Sequence, residues 1–369
     1  MNELYVPILR AKEGELVALD KLSNAAKNDL TPLLDISLRD ETAEDLSVSV
    51  HLAKVASKIG SVWAEHTIYL DMFNWDADAI SENGQHVLLE MWKYLESHSV
   101  KTHIILGFDR WEDDAYKLAI KNILTIAPRK VCLRLDMEAI RDIRSPDFFE
   151  ETLNSIFEYL DLDSGLMVIL LDVEDITHMA TMDIYDEISF AISYLDNHGF
   201  DEIILAGSSI PAFVTDIVKK ENSSALINRK EMILWKMLVS EGNKNLIFGD
   251  YGIRNPKSSG KGYGNTNGKI RYTIENQLFV VRGHNLTKPP KGKQHYLLAA
   301  KVVNSPYYEG ADFSWGDSKI LDCSNQKCIG NSTNWISIDT NHHIEYVLKE
   351  VKLYKSNEVL VTETEKLIT

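Results

Sequence analysis

Cysteine is nearly missing from this chain of 369 residues: Cys132, Cys323 and Cys328 are the three it has. Three thiols build no disulfide framework and fit a reducing compartment. Long apolar runs are missing too. No stretch approaches the roughly 18 residues that span a bilayer, and the opening MNELYVPILRAKEGE lacks the basic-then-apolar pattern of a secretory signal. The expectation is a cytoplasmic protein with no membrane partner. Positive charge is the minority, 39 Lys and Arg against 55 Asp and Glu, for a net charge of −16. That balance argues against a protein that coats duplex DNA. Several signatures are also absent. There is no G-x-S-x-G nucleophile elbow, no dinucleotide fingerprint, and GKGYG lacks the spacing of a Walker A loop. A retaining glycosidase needs two close carboxylates, commonly glutamates on strand ends; here glutamate appears near strand ends only at Glu13 and Glu174.

What is present is ordinary globular material, 44% apolar and 25% charged, arranged in a repeating order. Short β-rich runs recur at 5–10, 30–36, 66–72, 102–108, 130–136, 166–172, 202–208 and 245–250. The gaps between them carry helical periodicity. Leu88, Met91, Trp92 and Leu95 share one face, as do Phe149, Leu153, Ile156, Phe157 and Leu160, and Ile184, Ile188, Ala191, Ile192 and Leu195. Apolar strands alternating with amphipathic helices imply a parallel sheet covered by helices. Eight such units predict an α/β fold, a (β/α)₈ TIM-like barrel over residues 1–252, with an open doubly wound sheet as the alternative. Residues 253–369 are expected to form a C-terminal α+β cap packed on the barrel. Its first part, 253–268, is rich in Gly, Asn and Ser and reads as a loop. IRYTIENQLFVVRG reads as two strands turning at Glu275–Asn276, a helix follows near 294–303, and WISIDTNHHIEYVLKEV closes as strand or helix.

Charge is divided between these parts. From Ile253 to Lys301 ten basic residues stand against Glu275 alone, a local charge of +9 that leaves −25 for the remainder. The basic stretch directly follows the last strand run, so it is expected to lie over the strand-end face.

YVPILRAKEGELVALDKLS followed by LTPLLDI, then GDYG, IRYT, FSWGD and NHHIEYV, resemble the phage and bacterial "beta protein" family over nearly the whole chain. The resemblance implies a phage or mobile-element setting and a role in phage–host conflict. It implies no particular chemistry.

Ligands of such barrels bind at the carboxyl ends of the strands. Six of the eight runs end in or beside an aspartate: Asp35, Asp71, Asp109, Asp136, Asp172 and Asp250. Side chains alternate along a strand, so Val131, Leu133 and Leu135 should meet helices while Cys132, Arg134 and Asp136 point inward. The same parity puts Tyr69 with Asp71, Val168 with Leu170 and Asp172, and Phe248 with Asp250 on the inner face, level with Arg10 and Ser208. Each aspartate could equally be a helix N-cap. Crowded carboxylates need a cation: Arg10, Lys12 and Arg134, the basic stretch, or Mg²⁺ held by Asp71, Asp136, Asp172 and Asp250. AGSS at 206–209 and GDYG at 249–252 bring small residues to loops that often hold phosphate, making Ser208, Ser209, Tyr251 and Arg254 candidate binding residues; the alternative is that these glycines only turn the chain.

His342 and His343 are candidate proton donors if one of them enters the site from a strand. Cys323 and Cys328 with these histidines are a weaker zinc candidate, off the usual spacing. Trp315 and Trp335 suit either a stacking surface or a small cap core. The functional expectation is a phosphoester-directed hydrolase acting on nucleotides or nucleic-acid ends, with Asp136 and Asp172 catalytic. The alternative is a noncatalytic binding protein, a sensor or inhibitor that grips a phosphorylated molecule, a nucleic-acid end or a protein partner. A sensor could neutralise all six aspartates internally.

Overall fold

A computed structural model describes residues 3–38, 47–258, 266–327 and 330–368, with side chains as far as residue 357. Every expected strand run forms a strand: β1 (Tyr5–Arg10), β2 (Leu33–Asp35), β3 (Thr67–Asp71), β4 (Lys101–Gly107), β5 (Val131–Leu135), β6 (Met167–Asp175) and β7 (Ile203–Ser208). After a further strand, β8 (Ser223–Asn228), comes β9 (Ile247–Asp250). β1 to β7 and β9 close into one parallel barrel, with β9 pairing with both β1 and β7. The open-sheet alternative is excluded.

Alternation sorts the core into two layers. Val131, Leu133 and Leu135 belong to the layer between strands and helices, while Cys132 lies inside the barrel with Val168 and Leu170. Truncating one of these buried leucines to alanine should cost about 2–5 kcal/mol. The helices meet the outer layer with the expected stripes. The helix Val87–Ser97 buries Leu88, Met91, Trp92 and Leu95, and Thr181–Asn197 buries Ile184, Ile188, Ala191, Ile192 and Leu195.

One strand breaks the expected parity. Phe248 packs outward, stacked on Tyr5 at 5.7 Å and edge-on to Trp235 at 5.7 Å. Gly249 is therefore the inward position, and it must be small, since an added Cβ would lie 2.8 Å from the Cβ of Ala206 and 3.1 Å from the carbonyl of Val6. Asp250 goes outward with Phe248.

The cap is a three-stranded antiparallel sheet, ordered β10 (Asn267–Ile274), β11 (Gln277–Asn285) and β8. The turn lies at Glu275–Asn276 as expected, with Asn276 at φ 54°, and a helix spans Gln294–Val303. Because β8 leaves the chain between β7 and β9, the cap does not begin at residue 253; the barrel lends it an edge strand. One sheet face packs Ile270, Tyr272, Phe279 and Val281 on the cap helices. The other packs Leu278 and Val280 on Ile210 and Val218, which follow β7. The closing segment is helical, Ser332–Ile368. It supplies Trp335 and Ile338 to the cap core and Ile344, Val347, Leu348 and Val351 to the barrel core, so a single helix ties the two together.

Among the described residues no helix is long and apolar enough to cross a membrane.

Candidate functional site

The register sets a charged layer at the carboxyl ends of the strands: Arg10 pairs with Asp35, and Asp35 with Asp71. Across the mouth, Arg134 projects inward from β5 with 7% of its surface exposed. Its guanidinium donates to Asp71 Oδ2 at 2.7 Å, to Asp172 Oδ2 at 2.9 Å from Nε and 2.5 Å from Nη2, and to the Tyr251 hydroxyl at 2.9 Å. Tyr251 in turn donates to Asp172 Oδ2 at 2.5 Å. Arg110 completes the group, donating to Asp71 Oδ1 at 3.1 Å. It folds back over Gly107, where an added Cβ would collide with the guanidinium. Burial opposes the charge on Arg134, but Tyr251, Asp172 and Asp71 outweigh it and hold the guanidinium firmly protonated. The Phe73 ring lies over this centre, 4.5 Å from the Arg134 guanidinium. Each Asp71 and Asp172 oxygen already accepts a donor, Asp172 Oδ1 taking the Glu174 amide at 2.9 Å.

The rim beside β1 is different. Arg10 donates to the carbonyls of Pro256 and Ser258. Arg254 lies 2.9 Å from the carboxylate of Glu15, which is 2% exposed. Burial and then Arg254 lower the pKa of Arg10; burial, then Arg10 and Arg254, lower that of the exposed Lys12. Behind them burial and Arg271 bring Lys269 down to about 8. These cations crowd one another, and burial raises the carboxyls among them. Burial, then Asp71, raises Asp35 to about 6, burial raises Glu15, and burial lifts Asp339 to about 7 against its partner Arg271. By count the rim carries surplus positive charge, five cations (Arg10, Lys12, Arg254, Lys269 and Arg271) against three acids (Glu15, Asp35 and Asp339).

Asp250 lies on the other side of the wall. It accepts the Tyr5 hydroxyl at 2.6 Å, the Gly252 amide at 2.9 Å and His343 Nε2 at 2.9 Å. Burial pushes its carboxyl up, but these partners, His343 first, hold it below the ordinary range. His343 Nδ1 meets the Thr273 hydroxyl at 2.7 Å. His342 bridges Asp317 at 2.8 Å and the Thr273 carbonyl at 2.9 Å. Both histidines are fully buried in the seam between barrel and cap.

A family model described as Beta protein matches residues 5–349. The chain belongs to the Beta protein family. Among solved structures it is similar to a triosephosphate isomerase from Bartonella henselae, at 13% identity and a TM-score of 0.34, covering 67% of this chain and 92% of that one. No curated protein matches it.

In this Beta protein family member the sequence candidates separate. Asp71, Asp172, Arg134 and Tyr251 meet at the centre, and Arg10, Lys12 and Arg254 gather at the rim. Asp136 does neither: it is the N-cap of the helix Met137–Asp142, accepting the amides of Glu138 and Ala139 at 3.0 and 2.9 Å. Ser208 donates to the Arg254 carbonyl at 3.0 Å, and Ser209 donates to Glu231 at 2.7 Å while its amide reaches the same carboxylate at 3.0 Å. These loop donors are already taken, so they form no phosphate cradle. The expected Mg²⁺ set of Asp71, Asp136, Asp172 and Asp250 does not converge, and among the described residues no three His, Cys, Asp or Glu side chains gather to hold a metal. The residues do not fit the ion. The expected histidine donors do not join the central group, because 332–368 is helical and places both in the seam. Cys323 is buried in the cap core and Cys328 lies outside the described residues. Trp335 also belongs to that core, stacked on His295 at 4.8 Å, with Trp315 packed against it.

The basic stretch does not lie across the carboxylates. Residues 254–258 run along the rim between the ends of β7 and β1, Arg271 turns to Asp339, and Arg282 donates to the carbonyls of Val218 and Lys219. Lys288, Lys291, Lys293 and Lys301 are exposed. Residues 259–265 of the glycine-rich loop lie outside the described residues. Three participants escaped the sequence reading: Arg110, Glu15 and Phe73. Arg110 follows Asp109 directly, so a charge pair just past a strand end was the available signal. Phe73 carried none.

Proposed function

We propose that this protein is a noncatalytic binding protein whose barrel rim holds the phosphate group of a small molecule or nucleic-acid end, in the manner of a sensor or inhibitor. Arg10, Lys12 and Arg254 supply the contacts, as charge-assisted hydrogen bonds to phosphate oxygens. One observation carries this reading. The inward carboxylates Asp71 and Asp172 are consumed by Arg134, Arg110 and Tyr251, whereas the rim's cations outnumber its acids. A ligand that needs negative charge finds the complementary potential at the rim, and a metal ion finds no free carboxylate set at the centre.

Calorimetric titration with inorganic phosphate tests it. Binding should be equal in EDTA and in Mg²⁺ and weaken sharply in Lys12→Gln, whose side chain is exposed. Binding that requires Mg²⁺ would return the metal-dependent hydrolase.

One observation favours a second, metal-free hydrolase reading. Asp35 has a carboxyl raised to about 6 by burial and then Asp71, next to Arg10, and such a group suits general acid–base work near neutral pH. Release of nitrophenol from an aryl phosphodiester in EDTA, lost in Asp35→Asn, would establish it; no release above background would dismiss it.

A further inference from the structure

Phe73 is a large apolar side chain left 43% exposed at the most charged place in the barrel. Its position is not slack. On one side Met72 is buried, and its carbonyl accepts the Trp75 amide at 2.9 Å. On the other, Asn74 donates to Asp35 at 2.6 Å, and the buried Trp75 donates its indole N–H to the Ile36 carbonyl at 2.9 Å. The turn is clamped from both ends, and what it presents over the mouth is an aromatic ring. That ring meets the Arg134 guanidinium at 4.5 Å and reaches towards Arg110 at 5.9 Å, leaving much of its surface to solvent.

The register sets the backbone leading to this ring two strands away from Arg10. Arg10 on β1 pairs with Asp35 on β2, and Asp35 with Asp71 on β3, two residues before Phe73. Two strand spacings are roughly 10 Å. A nucleoside monophosphate spans such a distance from its ring to its phosphate, and every base has a π-face that stacks on an aromatic side chain without regard to sequence.

We propose that the ligand of the rim is a nucleoside 5′-phosphate, free or at a strand end, whose base stacks on Phe73 while its phosphate meets Arg10, Lys12 and Arg254. This rests on the anion-binding reading above and adds the ring to it. Phe73 discriminates nucleotides from other phosphates, and the cations do not.

The test compares inorganic phosphate, ribose 5-phosphate, the four nucleoside 5′-monophosphates and a 5′-phosphorylated oligonucleotide by calorimetry. Nucleotides should bind roughly ten-fold or more tightly than ribose 5-phosphate. Phe73→Ala should erase that difference while leaving ribose 5-phosphate unchanged, and Phe73→Trp should keep it. A tighter oligonucleotide than mononucleotide makes a strand end the source, and the reverse makes it a free nucleotide; both outcomes support the stack. Equal affinity for nucleotides and ribose 5-phosphate in the wild type overturns the stack and leaves the anion site standing. No binding of any of these phosphates removes the anion site, and the stack with it. If Phe73→Ala lowers the melting temperature but keeps nucleotide selectivity, the ring only shields Arg134 and the proposal is wrong.

Discussion

The centre of the barrel mouth and its β1 rim hold comparable numbers of charged side chains in opposite conditions. At the centre, Arg134, Arg110, Asp71 and Asp172 form a balanced set, and the carboxylate oxygens have donors. At the rim, Arg10, Lys12 and Arg254 outnumber the acids they stand around, Glu15 and Asp35. The difference teaches that density of charge is a poor marker of a site. Buried ions that satisfy one another brace the wall, and the unbalanced group beside them has something left for a ligand.

The comparison breaks most directly at Arg134. Arg134→Met leaves Asp71 and Asp172 buried without their shared cation, and loss of one partner from a buried ion pair costs about 3–5 kcal/mol. Urea unfolding should show a loss of that size; a near-neutral result would mean that the centre is not structural. Next in size is the double variant Arg10→Gln, Lys12→Gln. It should weaken phosphate binding at least ten-fold, about 1.4 kcal/mol, with the melting temperature nearly unchanged; unaltered binding would place the anion elsewhere. Asp136→Ala should cost about 1 kcal/mol of stability, as loss of an N-cap does, and leave binding untouched, whereas lost binding with full stability would restore Asp136 to the site. The smallest effect sharpens the rim. Asp35 is raised to about 6 by burial and then Asp71, so it becomes neutral as the pH falls through 6 and ceases to repel an anion. Affinity for sulfate, whose own charge is constant there, should rise a few-fold from pH 7 to pH 5, and Asp35→Asn should shrink that rise, leaving the part owed to Asp339 and Glu15. A profile that keeps its slope in Asp35→Asn would point to another group.

The barrel was legible because two periodicities, two residues in strands and 3.6 in helices, coincide with burial over 252 residues, and the placement of Arg134 followed from the alternation in KVCLRLD. Where one position departs from alternation, the reading failed. In β9 the inward place is taken by Gly249, which has no side chain to mark its face, so Phe248 and Asp250 were assigned to the wrong one. The partners of the histidines were illegible for another reason. DTNHHIEY has the polar composition of an exposed strand, yet lies where a helix passes from one core to another, and only the tertiary seam supplies Asp317, Asp250 and Thr273 as buried partners. Charge blocks misled in the same way. The +9 stretch suggested a lid over the aspartates, but Arg110 and Arg134 already pair with Asp71 and Asp172 from within the barrel.

The most direct test replaces the centre with neutral groups of similar shape, Asp71→Asn, Arg110→Met, Arg134→Met and Asp172→Asn together, and measures phosphate affinity by calorimetry. Replacing a complete buried ion set is often neutral for stability, so the variant should fold. The account predicts phosphate binding within two- to three-fold of the wild type, since the rim is intact. A folded variant that no longer binds phosphate would contradict it, and would return the function to the carboxylates at the centre of the mouth.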